Sequence, residues 1–204
     1  MTPRAQTLEQ IRHLRAGQAA RIADFLATAR NFFRPMLDPR TAGWTIELTS
    51  EFGRLDMQLA VAFLESDDAP DRTLANRLVC RAPIATFPGG HRFDIFQTSI
   101  AAHLLARYES RMEPATVAWC EQVLREGCPN NPGMTTPDYQ FHGYNDNMPA
   151  MTCKTLILGG ERLGQPGWVE FGLHRLEQAA ELLEVQSVCP TEQVRLPAEK
   201  PPAD

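Results

Sequence analysis

His142, Tyr144, Asn145 and Asn147 fall within six residues of one another and carry an imidazole, a phenol and two amides. That set suits the removal of a proton from carbon. A proton beside a carboxylate is weakly acidic until the carboxylate's charge is neutralised by a hydrogen bond, a cation or a metal. A base must then take the proton, and an acid must serve the leaving oxygen. An imidazole and a phenol suit the two proton transfers, and an amide or a guanidinium suits the carboxylate. Tyr139 and Phe141 stand just ahead and offer flat faces for stacking on a sugar. A second Pro/Gly-rich stretch, RAPIATFPGGHR, brings His91 and Arg92, whose positive charge can assist the same chemistry.

Each of these residues also has a plainer reading. Asn147 precedes an apolar run and has Pro149 two residues on, which suits a helix N-cap. Asn145 and Asp146 suit an Asx-turn. Tyr139, Phe141 and Tyr144 can pin a loop down as a small core of their own. His103 and His174 lie in helical patterns and read as surface or satisfied core groups. Asp138, His142 and Asp146 are spaced by four, which gathers metal ligands on a helix, but the segment has no helical pattern and no Cys/His set has zinc spacing. No metal and no cofactor is therefore expected. A serine-nucleophile motif, a phosphate-cradling Gly loop and a dinucleotide fingerprint are absent.

The elements that must position these groups are helical. Cys128 to Asn147 has no apolar periodicity, whereas connections in compact domains are mostly about 4–6 residues, so a loop this long and this aromatic is read as ordered and functional. Around it the period is 3.6. Leu8, Ile11, Leu14, Ile22, Phe25, Leu26, Ala29 and Phe33 mark a first helix, opened by a Thr7/Gln10 capping box and stopped by Pro35. A second helix carries Leu55, Leu59, Phe63 and Leu64, and a third starts at Pro70 and Asp71. A fourth runs from Phe93 to Ser110 and a fifth from Pro114 to a C-cap at Gly127; the short link between them implies an antiparallel hairpin. The sixth runs from Asn147 to about Leu163. Its Gly159-Gly160 pair costs roughly 1–2 kcal/mol of helix propensity, which implies close approach of another helix. The last, from Gly167 to Val185, keeps Val169, Phe171, Leu173, Leu176, Ala180 and Leu183 in register. No strand is expected. The fold class is all-α, about seven helices in antiparallel hairpins, with residues 1–185 as one domain and 186–204 as a flexible Pro-rich tail.

Of the 204 residues 43% are apolar, enough for a substantial core, and the net charge of −5 gives no reason to expect nucleic acid or an anionic membrane as partner. No window is apolar enough to span a membrane and no secretory h-region follows the N-terminus, so a cytoplasmic location is expected. The five cysteines show no CxxC spacing, and Cys80, Cys120 and Cys153 read as small core residues in a reducing compartment.

At YNDNMPAMTCKTLILGGERLG the chain resembles the (α/α)-toroid carbohydrate-active proteins, specifically polysaccharide lyases of the alginate, heparinase and chondroitin lyase type. In those families an Asn/aromatic turn leads into an inner helix of similar composition. The motif covers Tyr139 to Gly164 and the architecture Phe93 to Val185. Two features depart from the pattern: Asn145-Asp146-Asn147 stands where the families have Asn-Asn-His, with His142 ahead, and the chain is too short for a full ring. The resemblance implies a partial toroid and a lyase acting on an acidic polysaccharide by β-elimination. It assigns His142 as base, Tyr144 as acid or base and Asn145 as carboxylate neutraliser, with Tyr139, Phe141, Asn147, His91 and Arg92 as substrate-binding residues. The alternatives are a non-catalytic helical scaffold or binding protein, and a glycoside hydrolase, which needs paired carboxylates that no residues here declare. The ligand expected is a carbohydrate or another small polar molecule. An incomplete ring exposes apolar helix faces, so a homo-oligomer or a partner completing the ring is expected as well.

Overall fold

Runs with a 3.6-residue apolar period, punctuated by Pro and Gly, form helices throughout. The computed structural model describes the backbone of residues 3–46, 53–82, 95–130 and 147–188, and side chains at 17–46, 55–82, 95–130 and 149–178. Among these residues lie seven α-helices: α1 (Pro3–Phe33), α2 (Gly53–Leu64), α3 (Ala69–Arg81), α4 (Ile95–Tyr108), α5 (Pro114–Gly127), α6 (Asn147–Leu163) and α7 (Pro166–Val188). Short 3₁₀ turns at Arg34–Met36 and Glu109–Arg111 follow α1 and α4. No strand occurs among the described residues; Leu37 and Trp44 form one isolated antiparallel bridge. The protein is all-α.

Four local expectations change. α1 begins at Pro3, with proline in the first turn where its missing N–H is harmless, so Thr7 lies inside the helix rather than at its start. Gly127 is the last residue of α5 and does not take the positive φ of a C′ glycine. Its small size is what matters, since a Cβ there would lie 2.5 Å from Thr98 Oγ1. Cys80 is exposed, its Sγ 3.5 Å from Thr116 Oγ1, because it falls outside the buried face of α3 formed by Leu74, Ala75, Leu78 and Val79. α7 continues past the expected boundary at Val185 to Val188.

The chain forms two compact units. The first comprises residues 1–85 and 107–119, the second residues 86–106 and 120–204. The core of the first is Met57, Ala60, Phe63 and Leu64 of α2 against the buried face of α3. Two buried carboxylates accompany it. Asp71, in the first turn of α3, has both oxygens 2.5 Å from Arg34 Nη2, and Arg30 Nε lies 3.6 Å away. Asp56 of α2 accepts a hydrogen bond from Trp44 Nε1 at 2.7 Å and faces Arg81, at the end of α3, at 3.6 Å. Arg81 also donates to the carbonyl of Ala42. Asn76 accepts from the backbone N–H of Glu113 at 2.7 Å, satisfying a donor at the start of α5.

The second unit is organised by α6. Gly159 lies against Leu124 of α5 and Cys128 just past its end, 3.3 Å from the Cys128 sulfur where a Cβ would stand. Gly160 lies equally close to Val169, and Gly172 to Ile157 and the carbonyl of Cys153. The close approach implied by the glycine pair is thus present on two sides of the helix. α6 ends in a Schellman turn: Gly164 takes φ +65°, and the Gln165 N–H bonds the Gly160 carbonyl at 2.8 Å. Pro166 then starts α7.

Candidate functional site

In the second unit the start of α4, the end of α5 and the start of α6 all lie toward one end. Thr98, one turn into α4, lies beside Gly127, so α4 begins at the level where α5 stops. Along α5, Glu121 pairs with Arg162 at 2.8 Å, while Leu124 and Cys128 meet Gly159. As α5 advances, α6 therefore recedes. Asn147 is twelve residues before Gly159, so α6 carries on past the end of α5 by up to about 18 Å at 1.5 Å per residue.

These three termini bound the two stretches that hold the chemistry read from the sequence. His91 and Arg92 are joined to Ile95 by a few residues; Tyr139, Phe141, His142, Tyr144 and Asn145 lie between Asn130 and Asn147. All seven lie outside the described residues. Asn147 opens α6, as the N-terminal signals imply, but its side chain also lies outside them.

Near this end the described residues add polar groups that were not singled out. Gln97, Thr98 and Ser99 form a buried polar run at the start of α4, and Thr152 and Thr155 are buried in α6. Thr155 Oγ1 donates to the Met151 carbonyl at 2.7 Å, which satisfies its hydroxyl within its own helix. The signal was present in the sequence: three consecutive polar residues interrupt an otherwise apolar helix between Phe96 and Ile100. Burial raises the thiols of Cys128, to about 12, and of Cys153, so both are protonated, inert core groups at neutral pH.

Against known family models, characterised proteins and solved structures, the chain matches nothing. The site is therefore read from its own residues.

The first unit offers a rival cluster. Burial pushes the Asp56 carboxyl up from its ordinary value, outweighing the hydrogen bond from Trp44 and the charge of Arg81. Tyr108 donates to Glu65 Oε1 at 2.5 Å, and burial, reinforced by that carboxylate, raises its phenol to about 12. Arg107 sits 3.6 Å from the same Glu65 oxygen. Perturbed groups cluster at catalytic sites, but structural ion-pair networks perturb them too. Here each carboxylate is already engaged by partners of the same unit, and each contact ties one helix to a neighbour. Arg111 likewise donates to the carbonyls of Leu64 and Ser66, at 2.8 and 3.3 Å, which closes the end of α2. These groups hold the fold.

Proposed function

We propose that the end of the second unit where α4 begins, α5 stops and α6 begins carries a site for an acidic glycan, cleaved there by β-elimination. The observation that supports this reading is that α4 begins where α5 stops and α6 begins up to about 18 Å beyond on the same side, so helix ends flanking both reactive stretches lie toward one end of the unit. A tether of n residues reaches at most about 3.3–3.6 Å × n. His91, four residues before Ile95, and Tyr144, three before Asn147, are thus tied closely to that end. The stretch 131–146 is far longer than the roughly 18 Å overhang of α6 requires, so it has chain to spare for enclosing a ligand. The finer architecture we propose is a partial (α/α) toroid, in keeping with the opposed run of α5 and α6.

In the reaction, Asn145 hydrogen-bonds the uronate carboxylate, and Arg92 with His91 adds positive charge. Neutralised in this way, the carboxylate lets the adjacent C–H lose its proton to His142. The electron pair left behind forms a carbon–carbon double bond as the neighbouring C–O bond breaks, and Tyr144 protonates the departing oxygen. No oxidant and no water is consumed. Tyr139 and Phe141 stack on the sugar rings, and Asn147 holds the start of α6 at the site.

The test is the near-ultraviolet absorbance of the unsaturated product over a panel of uronate polysaccharides, with His142→Ala and Tyr144→Phe beside the parent. A rise with the parent that both variants abolish is the expected result. Binding without any rise would replace the lyase by a non-catalytic glycan-binding protein, and neither binding nor a rise would sink the site.

A further inference from the structure

α1 and α7 each expose an apolar stripe of the same register and opposite charge. On α1, Ile22, Phe25 and Phe32 are 57%, 69% and 60% exposed, and with Ala29 they repeat at spacings of three, four and three. Residues 17–25 of this helix are exposed on every side, and a Cβ at Gly17 would meet nothing within 4 Å. On α7, Leu173 and Leu176 are 48% and 40% exposed, and in the sequence Ala180 and Leu183 continue the same three–four–three spacing. This is the seam by which one helix packs along another. Among the described residues, α1 meets its own unit around Arg30 and Phe33.

The charges fit as well as the register. α1 carries five arginines against Glu9 and Asp24, a formal +3 in a chain whose total is −5. α7 carries Glu170, Glu177, Glu181 and Glu184 against Arg175, a formal −3. Arg175 lies over the Phe171 ring at 5.2 Å, while Glu170 and Glu177, one turn either side of Leu173, are exposed. Arg21, one turn before Phe25, and Asp24 beside it are both exposed on α1, and its excess positive charge lies toward its start, at Arg4, Arg12 and Arg15. Two like-charged copies of α1, or of α7, would repel, whereas α1 against α7 attracts and aligns.

We infer that α1 of one copy of this chain docks along α7 of a second copy. The contact is heterologous, joining unlike surfaces, α1 of one copy to α7 of the next. Most helical stability in proteins comes from packing of an amphipathic face, which a docked partner would supply to residues 17–25.

A complementation experiment separates this arrangement from every other. Phe25→Asp breaks the α1 stripe and leaves α7 intact; Leu176→Asp does the reverse. Both positions are exposed, so both chains should keep the parent's far-ultraviolet circular dichroism, and Phe25→Gln with Leu176→Gln serve as milder versions. In sedimentation equilibrium of the full chain, the parent self-associates. Each variant alone raises the dissociation constant by at least about tenfold, the loss of one anchoring contact. Mixed in equal amounts, the two variants form a heterodimer, because the intact α1 of one meets the intact α7 of the other. A parent that stays monomeric at all concentrations overturns the inference. So does either variant that still self-associates like the parent, since that marks α1–α1 or α7–α7 pairing, and so does a mixture no more associated than its components.

Discussion

Replacing Gly172 by alanine should destabilise the protein, although glycine-to-alanine changes inside helices ordinarily do the opposite. Alanine is better than glycine in a helix interior by about 0.8–1.0 kcal/mol. At Gly172, however, the added Cβ would lie 2.8 Å from Ile157 Cγ1 and 3.0 Å from the Cys153 carbonyl oxygen. The first contact is with a β-branched side chain whose χ1 is stiff in a helix. The second is with backbone inside α6, which moves only if the helix moves. Relief therefore requires α6 and α7 to separate by a few tenths of an ångström along a seam that also holds Gly160 against Val169. Overpacking of this kind costs about 1–3 kcal/mol, so the net change is a loss of up to roughly 2 kcal/mol once the propensity gain is counted. Gly17→Ala is the control: no atom lies within 4 Å of its Cβ, and it should gain up to about 1 kcal/mol. Urea unfolding followed by circular dichroism reads both. The two variants should move the midpoint in opposite directions and differ by about 1 M, taking a slope near 2 kcal/mol/M. If Gly172→Ala were as stabilising as Gly17→Ala, the close packing of α6 on α7 would be refuted.

Two further expectations concern the polar groups of the first unit. Asp71→Ala strands the Arg30 guanidinium, whose side chain is only 20% exposed, and should lower stability by about 2–4 kcal/mol, less than a fully buried pair because Arg34 can turn to water. A loss below roughly 0.5 kcal/mol in urea unfolding would show that the cluster contributes nothing. Tyr108 should ionise late: followed by phenolate absorbance, a phenol titrating near pH 12 disappears in Tyr108→Phe. Because its folded value is raised above the ordinary value of 10.0, the neutral phenol's contribution is complete below pH 10 and is lost as pH climbs from there through 12. Alkaline unfolding in that window should therefore begin at lower pH in the parent than in Tyr108→Phe, once the two are matched for stability at neutral pH.

The helices were legible because their ends are written in residue types. Pro35 stops α1 after Phe33, Pro114 starts α5, and Gly164 takes the left-handed conformation that only glycine adopts freely. What escaped was whatever depends on distance in three dimensions. Arg34 and Asp71 are thirty-seven residues apart, and Arg81 and Ala42 thirty-nine, so nothing local announces that they meet. Arg30 likewise reaches the carbonyl of Ala62 and Asp71 from far along the chain. Periodicity finds an apolar face but cannot say whether the chain itself covers it, and Ile22, Phe25 and Leu173 show the gap. At the candidate site the reactive residue types were visible as a cluster in the sequence. That their boundaries α4, α5 and α6 share one end was not, because it rests on Thr98 meeting Gly127 and Gly159 meeting Cys128.

The central claim is that the stretch before α4 and the stretch before α6 serve one ligand at one end of the second unit. Calorimetric binding of a uronate oligosaccharide to Arg92→Ala, to Asn145→Ala and to the double variant tests it most directly. One shared carboxylate makes the two losses non-additive, with a coupling of about 0.5–3 kcal/mol. Losses that simply add, or a ligand indifferent to one of the two residues, would place the stretches at separate sites and contradict it.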